Sequence, residues 1–286
     1  MNKILVAGAT GRLGSFVVKK LKEQKYVTNV LVRNRAKFEA QNIPVDQIIH
    51  AEITNKKALN GCCDDIDIVF SSVGITTQKD DLTYMDVDYQ ANLNLLKEAE
   101  KSGVEKFMYV SVLKGPSLKH LKICEAKEKF VDALKRSSLN YCVIRPNGFF
   151  SDMSQIFEMA KNGRVFLFGK GEHRINPIHG KDLADICVDA INSKRNEIAI
   201  GGPQTLTHNE IAKTAFSILG KKKKITYLPD WIKKTGLYIL RSFTNSKIYG
   251  PIEFVMTVMS MDLEAPEFGK YTLERYFEKL EKKDID

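Results

Sequence analysis

The sequence predicts an α/β fold, a doubly wound parallel sheet of Rossmann type with a smaller, mostly helical C-terminal substrate lobe. Three observations predict it. Short β-branched runs alternate with amphipathic stretches of helical length through the first half of the chain, the pattern of successive βαβ units. A glycine-rich turn, Gly8-Ala9-Thr10-Gly11-Arg12-Leu13-Gly14, follows the first apolar run and opens the first helical pattern. After Arg145-Pro146 the alternation loosens, and large apolar residues gather on helical segments. The expected division is a nucleotide-binding domain over 1–150 and a substrate or lid lobe over 151–286, with the segment around 174–200 returning to pack on the first domain.

The elements follow in order. Strands are expected at 3–7, 29–33, 47–50, 66–71, 106–111 and 140–145, where β-branched and aromatic residues cluster between turn residues. Helices are expected between them at 11–23, 55–60, 84–102 and 118–137. In the long one, Leu93, Leu96 and Ala99 recur at helical spacing and Gly103 provides a C-terminal stop. Pro146 ends the sixth strand because it lacks a ladder donor. Beyond it, helices are expected at 152–161, 180–192, 207–219, 231–243, 249–259 and 272–280, and strands at 164–168, 174–178 and 197–200. Thr207-x-x-Glu210 forms a capping box, and the lysines at 221–224 read as a loop.

Composition narrows the function classes. A chain of 286 residues, 43% hydrophobic, is long enough for one large α/β domain or a nucleotide domain with a lobe. The net charge of +9 suits anionic ligands, nucleic acid or an anionic membrane surface. No helix-turn-helix, zinc-ligand or aromatic-basic pattern accompanies it, so nucleic acid is set aside. Five cysteines show no C-x-x-C pair and no metal-ligand spacing; free thiols in a reducing cytoplasm and no metal are expected. No apolar run reaches the length of a signal peptide core or a membrane span.

The turn at 8–14 carries the chemistry. Its glycines permit a sharp strand-to-helix turn, close approach of backbone to a pyrophosphate, and tight packing of helix on strand. The helix start then offers free N–H groups and a positive dipole end to the phosphates, so Gly8, Thr10, Gly11, Arg12, Leu13 and Gly14 are cofactor-binding candidates. Where an NAD-binding chain carries a carboxylate at the end of its second strand, this one reads Val32-Arg33-Asn34-Arg35, and the first carboxylate is Glu39. Arg33, with Arg35 or Arg12, is suited to a 2′-phosphate, so the expected cofactor is NADP(H). Solvent-facing positions at a helix start are the alternative role for these arginines.

These residues resemble the short-chain dehydrogenase/reductase superfamily, and most of all its atypical, NmrA-like and divinyl-reductase-like branch. The resemblance rests on 8–14, Asp67-Ile68-Val69-Phe70-Ser71-Ser72-Val73-Gly74, the run 87–96, 107–111, Lys127-Glu128, Arg145-Pro146-Asn147-Gly148 and the run 177–184. It implies cofactor contacts at Ser72, Val73 and Gly74 and at Pro146, Asn147 and Gly148, a catalytic role for Lys127, which also contacts the cofactor, and a substrate-positioning role for Ser111. The family's Y-x-x-x-K pentad reads Ile123-Cys124-Glu125-Ala126-Lys127, so the tyrosine that serves as general acid or base is missing. Asp88 replaces the family's mid-chain asparagine and is expected to cap its helix or bind water. Tyr84, Tyr89, His120 and His179 are the other candidate proton donors, with packing or surface roles as the alternative.

Two function classes follow. One is an NADPH-dependent reductase of a small hydrophobic, conjugated or quinone-like substrate. The other is a catalytically silent NADP(H)-sensing or assembly protein. The apolar residues of 231–260, with Lys233, Lys234 and Arg241 and the lysines of 221–224, suit a lid core, a hydrophobic substrate pocket or a weak contact with an anionic membrane. A monomer or homodimer is expected.

Overall fold

The computed structural model describes residues 2–78 and 81–283; the end of the charged tail, 284–286, lies outside them. The strands are β1 (Lys3–Ala7), β2 (Val27–Val32), β3 (Gln47–His50), β4 (Ile68–Ser71), β5 (Lys106–Val110), β6 (Asn140–Pro146), β7 (Val165–Phe168), β8 (Arg174–Ile175), β9 (Glu197–Ile200), β10 (Leu206–Thr207) and β11 (Ile225–Leu228). The α-helices are α1 (Arg12–Glu23), α2 (Arg35–Glu39), α3 (Asn92–Lys101), α4 (Lys122–Lys135), α5 (Phe150–Lys161), α6 (Gly180–Asp189), α7 (His208–Ile218), α8 (Asp230–Phe243), α9 (Ser246–Val258) and α10 (Leu273–Glu281).

Seven strands form one parallel sheet in the order β3-β2-β1-β4-β5-β6-β9. The chain winds outward from β1 in one direction through β2 and β3, then in the other through β4, β5 and β6, so the winding reverses between β1 and β4. Loops leaving the C-terminal ends of those two strands diverge, and such a crevice is where open α/β sheets bind ligands. Alternation along the strands gives each face its own core. Leu5, Val69, Phe107, Tyr109 and Val143 join Leu95, Leu96, Phe130 and Leu134 of α3 and α4 in one buried cluster. Ile4, Phe70 and Met108 face the other way with Val17 and Leu21 of α1 and Cys187 and Val188 of α6, around an apolar void of about 10 Å³. Each fully buried side chain of this size contributes about 2 kcal/mol.

The chain divides into two compact units, Met1–Arg145 with Leu183–Ile198, and Pro146–Asp182 with Ala199–Asp286. In the first unit, the Lys106 ammonium donates to the carbonyls of Ala190, Ile191 and Ser193 at 2.7, 2.9 and 2.8 Å, closing the chain after α6. In the second, β7 pairs parallel with β11 and β8 antiparallel with β10, while α5 packs on α7 and α10. Asn176 ties that unit together, accepting from Asn147 Nδ2 at 2.6 Å and donating to the Ala265 carbonyl at 2.7 Å.

Several sequence expectations need correcting. The expected helix over 55–60 is a short 3₁₀ turn, Lys56–Leu59, begun by Asn55 accepting from Lys57 N. The expected helix over 84–102 is two segments, a π-helical stretch Met85–Ala91 running into α3. The expected helix over 118–137 starts later, at Lys122, after a 3₁₀ turn at Gly115–Leu118. Strand β11 was not expected, because its four residues adjoin a lysine run; its partner β7 lies far away in sequence and completes the pairing. The capping box at Thr207 and Glu210 forms as expected.

Candidate functional site

The buried apolar run Ile4–Ala7 must leave the sheet in a tight turn, and Gly8 adopts φ +89° to do so. Gly11 N donates to the Gly8 carbonyl at 2.9 Å, and α1 begins one residue later. A Cβ on Gly14 would stand 2.2 Å from Gly8 O, and one on Gly8 would stand 2.7 Å from Ser72 Oγ. Neither position admits a side chain, so helix, strand and the loop after β4 meet backbone to backbone. Gly11 gives α1 no side-chain cap, and its first turn holds no acidic residue. The N–H groups there, on Arg12, Leu13 and Gly14, form a positive terminus fit for a dinucleotide pyrophosphate. Thr10 offers its carbonyl to Gln41 Nε2 at 3.3 Å, tying the loop to the segment after α2.

The parallel register pairs Ala7 with Leu31, so the chain leaves β1 and β2 side by side at one end of the sheet. Arg33 lies immediately after β2, exposed, with its Nε 3.9 Å from Glu52. Asn34 caps α2 by accepting from Lys37 N, and Arg35 then points its guanidinium at Glu39, 2.8 Å away. Arg12 is exposed at the start of α1. Thus Arg35 has the helix-start role, and no carboxylate precedes Glu39 on this segment.

The loop Ser72-Val73-Gly74 leaves β4 against the same turn. Ser72 N donates to Ala7 O at 3.1 Å, and Asn92 donates from Nδ2 to Val73 O at 3.2 Å while accepting from Ser71 Oγ at 2.6 Å. Asn92 also donates to the carbonyls of Val87 and Asp88, so its amide clamps this loop to the π-helical turn.

Asp88 and Lys127 meet beside Gly74. Lys127 Nζ is 2.9 Å from Asp88 Oδ1 and 3.5 Å from the Tyr109 hydroxyl, and Asp88 Oδ2 accepts from Ile75 N at 3.2 Å. A Cβ on Gly74 would land 2.5 Å from Asp88 Oδ1 and 2.8 Å from Lys127 Nζ, so the glycine opens the space in which the pair forms. Asp88 makes no helix cap; it is wholly buried and serves as the Lys127 counter-ion. Burial pushes its carboxyl above the usual range against the pull of Lys127. Burial also pushes the Lys127 ammonium down, but Asp88, then Tyr109, outweigh it and hold Lys127 above its ordinary value. Burial raises the Tyr109 phenol. At neutral pH the lysine is charged and the phenol protonated.

Ile123 sits on α4 one helical turn before Lys127, buried, with no proton to exchange. The other candidates do not replace a tyrosine. The Tyr84 hydroxyl donates to Thr76 O, and burial pushes its phenol up to about 12. Tyr89 packs against the core with Lys129 Nζ 4.5 Å over its ring, and His120 is exposed on the surface. His179, in the second unit, stacks on Tyr271 at 4.5 Å and accepts from Lys181 N.

Ser111 belongs to a separate buried cluster. Its hydroxyl donates to Glu128 Oε1 at 2.8 Å, and Arg145 clasps Glu128 with both terminal nitrogens at 2.6 and 2.9 Å while its Nε donates to Glu197. In this structure the Ser111 hydroxyl hydrogen bond is directed to a carboxylate. Pro146, Asn147 and Gly148 begin the second unit, where Asn147 is buried and donates to Asn176 and the Leu263 carbonyl. Sequence reasoning missed Tyr109 and Asn92. Both lie in the runs 87–96 and 107–111 that carry the family resemblance, but no role is read for either.

All five cysteines are buried free thiols. Among the described residues no group of three or more His, Cys, Asp or Glu is placed to hold a metal, and no helix is long and apolar enough to cross a membrane.

Comparison with known proteins agrees with this geometry. Residues 8–194 match the family described as NAD(P)H-binding. The divinyl chlorophyllide a 8-vinyl-reductase of Zea mays is 27% identical, over 97% of this chain and 79% of its own length. The photosystem II assembly factor Ycf39 of Synechocystis is 25% identical, over 85% of this chain and 74% of its own. Among solved structures, the NADPH-dependent quinone oxidoreductase QOR2 of Escherichia coli, complexed with NADPH, has a TM-score of 0.71 at 16% identity, covering 97% of this chain and 99% of that one. Sheet order, glycine turn and family match converge: the chain belongs to the NAD(P)H-binding family and has the Rossmann-type fold of the atypical short-chain dehydrogenases/reductases.

Proposed function

We propose that the chain is an NADPH-dependent reductase of a small hydrophobic substrate with a conjugated double bond or quinone-like ring. The observation that carries it is an intact dinucleotide cradle combined with Ile123 one turn before a charged Lys127. The backbone N–H groups at the start of α1 bind the pyrophosphate, and Arg33, with Arg12 beside the turn, receives the 2′-phosphate. Ser72, Val73 and Gly74 wall the cofactor, and Lys127 holds a ribose hydroxyl. Ser111 acts indirectly, by fixing Glu128 and Arg145. Bound NADPH supplies a hydride. Ile123 supplies no proton, so the residues present suit acceptors that draw their balancing proton from water. Simple alcohol oxidation, which needs a base on the hydroxyl, is disfavoured. The likeness to a divinyl reductase and to the fold of a quinone reductase supports this reading.

A second reading, an NADP(H)-binding assembly or sensing protein, draws on Ile123 and on the likeness to Ycf39. Following NADPH oxidation against a panel of quinones and vinyl-conjugated rings separates the two. Turnover that falls in Lys127→Met supports the reductase; micromolar NADPH binding with no turnover across the panel supports the second reading. Tighter binding of NADH than NADPH would remove the assignment of the 2′-phosphate to Arg33.

A further inference from the structure

Helices α8 and α9 leave a large apolar face uncovered. On α8, Ile232, Gly236, Ile239 and Phe243 recur at i, i+4, i+7 and i+11, and so lie along one side. Phe243 is 83% exposed, and a Cβ added at Gly236 meets nothing within 4 Å. Trp231 and Tyr238 are exposed on the same helix by 65% and 74%. On α9, Ile248 and Ile252 are exposed one turn apart. Soluble proteins rarely leave such residues contiguous unless they bind something.

The charge around this face names the partner. Lys233 and Lys234 stand on α8, while the exposed lysines 221–224 precede β11 in the same unit. Between residues 231 and 258 the one acidic residue is Glu253, and it is buried and paired with Arg241. The face is therefore apolar with a cationic border. A second copy of the chain would set lysines against lysines, which like-charge repulsion opposes. A bilayer with anionic headgroups satisfies both features: the apolar side chains enter the headgroup boundary and the cations meet the lipid phosphates. At 1.5 Å per residue α8 is about 20 Å long, and no described helix is built to span, so the helices lie on the surface. Tryptophan and tyrosine are the side chains favoured at that depth.

We infer that α8 and α9 dock the protein on an anionic lipid bilayer through this apolar face. The chain's single tryptophan, Trp231, is exposed on the same helix about a quarter turn from that stripe, and reports on lipid contact. The full chain is mixed with phosphatidylcholine vesicles, or with vesicles carrying about 30% phosphatidylglycerol, and binding is followed by sedimentation and tryptophan emission. Partition onto the anionic vesicles is expected to exceed that onto neutral ones by at least about tenfold, with a blue shift, and to fall at high salt. Ile239→Glu with Phe243→Glu is expected to abolish both signals while leaving thermal stability and NADPH affinity unchanged, since these side chains project from the surface. Equal partition on the two vesicle types overturns the inference, as does binding that survives the double variant. A concentration-dependent blue shift without lipid, accompanied by a dimer in sedimentation velocity, would assign the face to a second copy instead.

Discussion

Lys127 and Asp88 are each costly alone. Lys127 is nearly buried and Asp88 wholly so, and each is the other's counter-charge at 2.9 Å. Lys127→Met leaves a buried carboxylate unpaired and is expected to cost about 3 kcal/mol of stability in urea unfolding. Asp88→Asn added to it should restore part of that loss, because the remaining group carries no charge. A double variant no more stable than Lys127→Met would show that the lysine acts chiefly by packing. Arg33 tests the cofactor at the same scale. Arg33→Asp is expected to weaken NADPH binding at least about tenfold, the worth of one charge-assisted hydrogen bond, and to leave NADH binding unchanged or tighter. Equal losses for both nucleotides would remove Arg33 from the 2′-phosphate. Sequence singled out Lys127 and Arg33 because both lie in short motifs; it misjudged Asp88 because a carboxylate near a helix start reads as a cap.

At the scale of elements, the π-helical turn and the start of α7 show how local geometry redirects side chains. The stretch Met85–Ala91 aims Asp88 and then Asn92 inward, and α3 continues from it without a break. A helical period in the sequence does not distinguish this from an unbroken helix, since both bury one stripe. At α7 the Thr207 cap forms as its spacing predicts, and Thr207→Ala is expected to cost about 1 kcal/mol. The next residue, His208, is buried, and burial lowers its imidazole from 6.5 to about 4. The unfolded chain takes the proton first, so the stabilisation is complete above about 6.5 and is lost as pH falls toward about 4. Its Nε2 finds no hydrogen-bond partner among the described residues, which makes a leucine tolerable there. His208→Leu is therefore expected to flatten the fall in stability across that interval, by up to about 3 kcal/mol at the acid end. An unchanged pH profile in thermal melts would place the titration elsewhere.

At the scale of the whole molecule, a ligand that binds only the folded state raises its stability with concentration. At about a hundredfold excess over its dissociation constant, NADPH is expected to add about 2.7 kcal/mol, visible as a raised melting temperature. NADH at the same concentration should raise it less, and equal shifts would argue that the cradle does not discriminate. The sequence by itself determined what depends on neighbours in the chain. The strand period, the glycines of 8–14, the cap at Thr207 and the absence of a carboxylate between β2 and Glu39 are all local, and each imposes its geometry within a few residues. Only the tertiary structure decided which distant groups meet. Asp88 becomes the partner of Lys127, Tyr109 comes within 3.5 Å of that lysine, Ser111 donates a hydrogen bond to Glu128, and the short strand β11 finds β7. The reason is desolvation. Packing the sheet against its helices removes water from these polar groups, and each must then take the partner that folding places within reach, a choice no local pattern encodes.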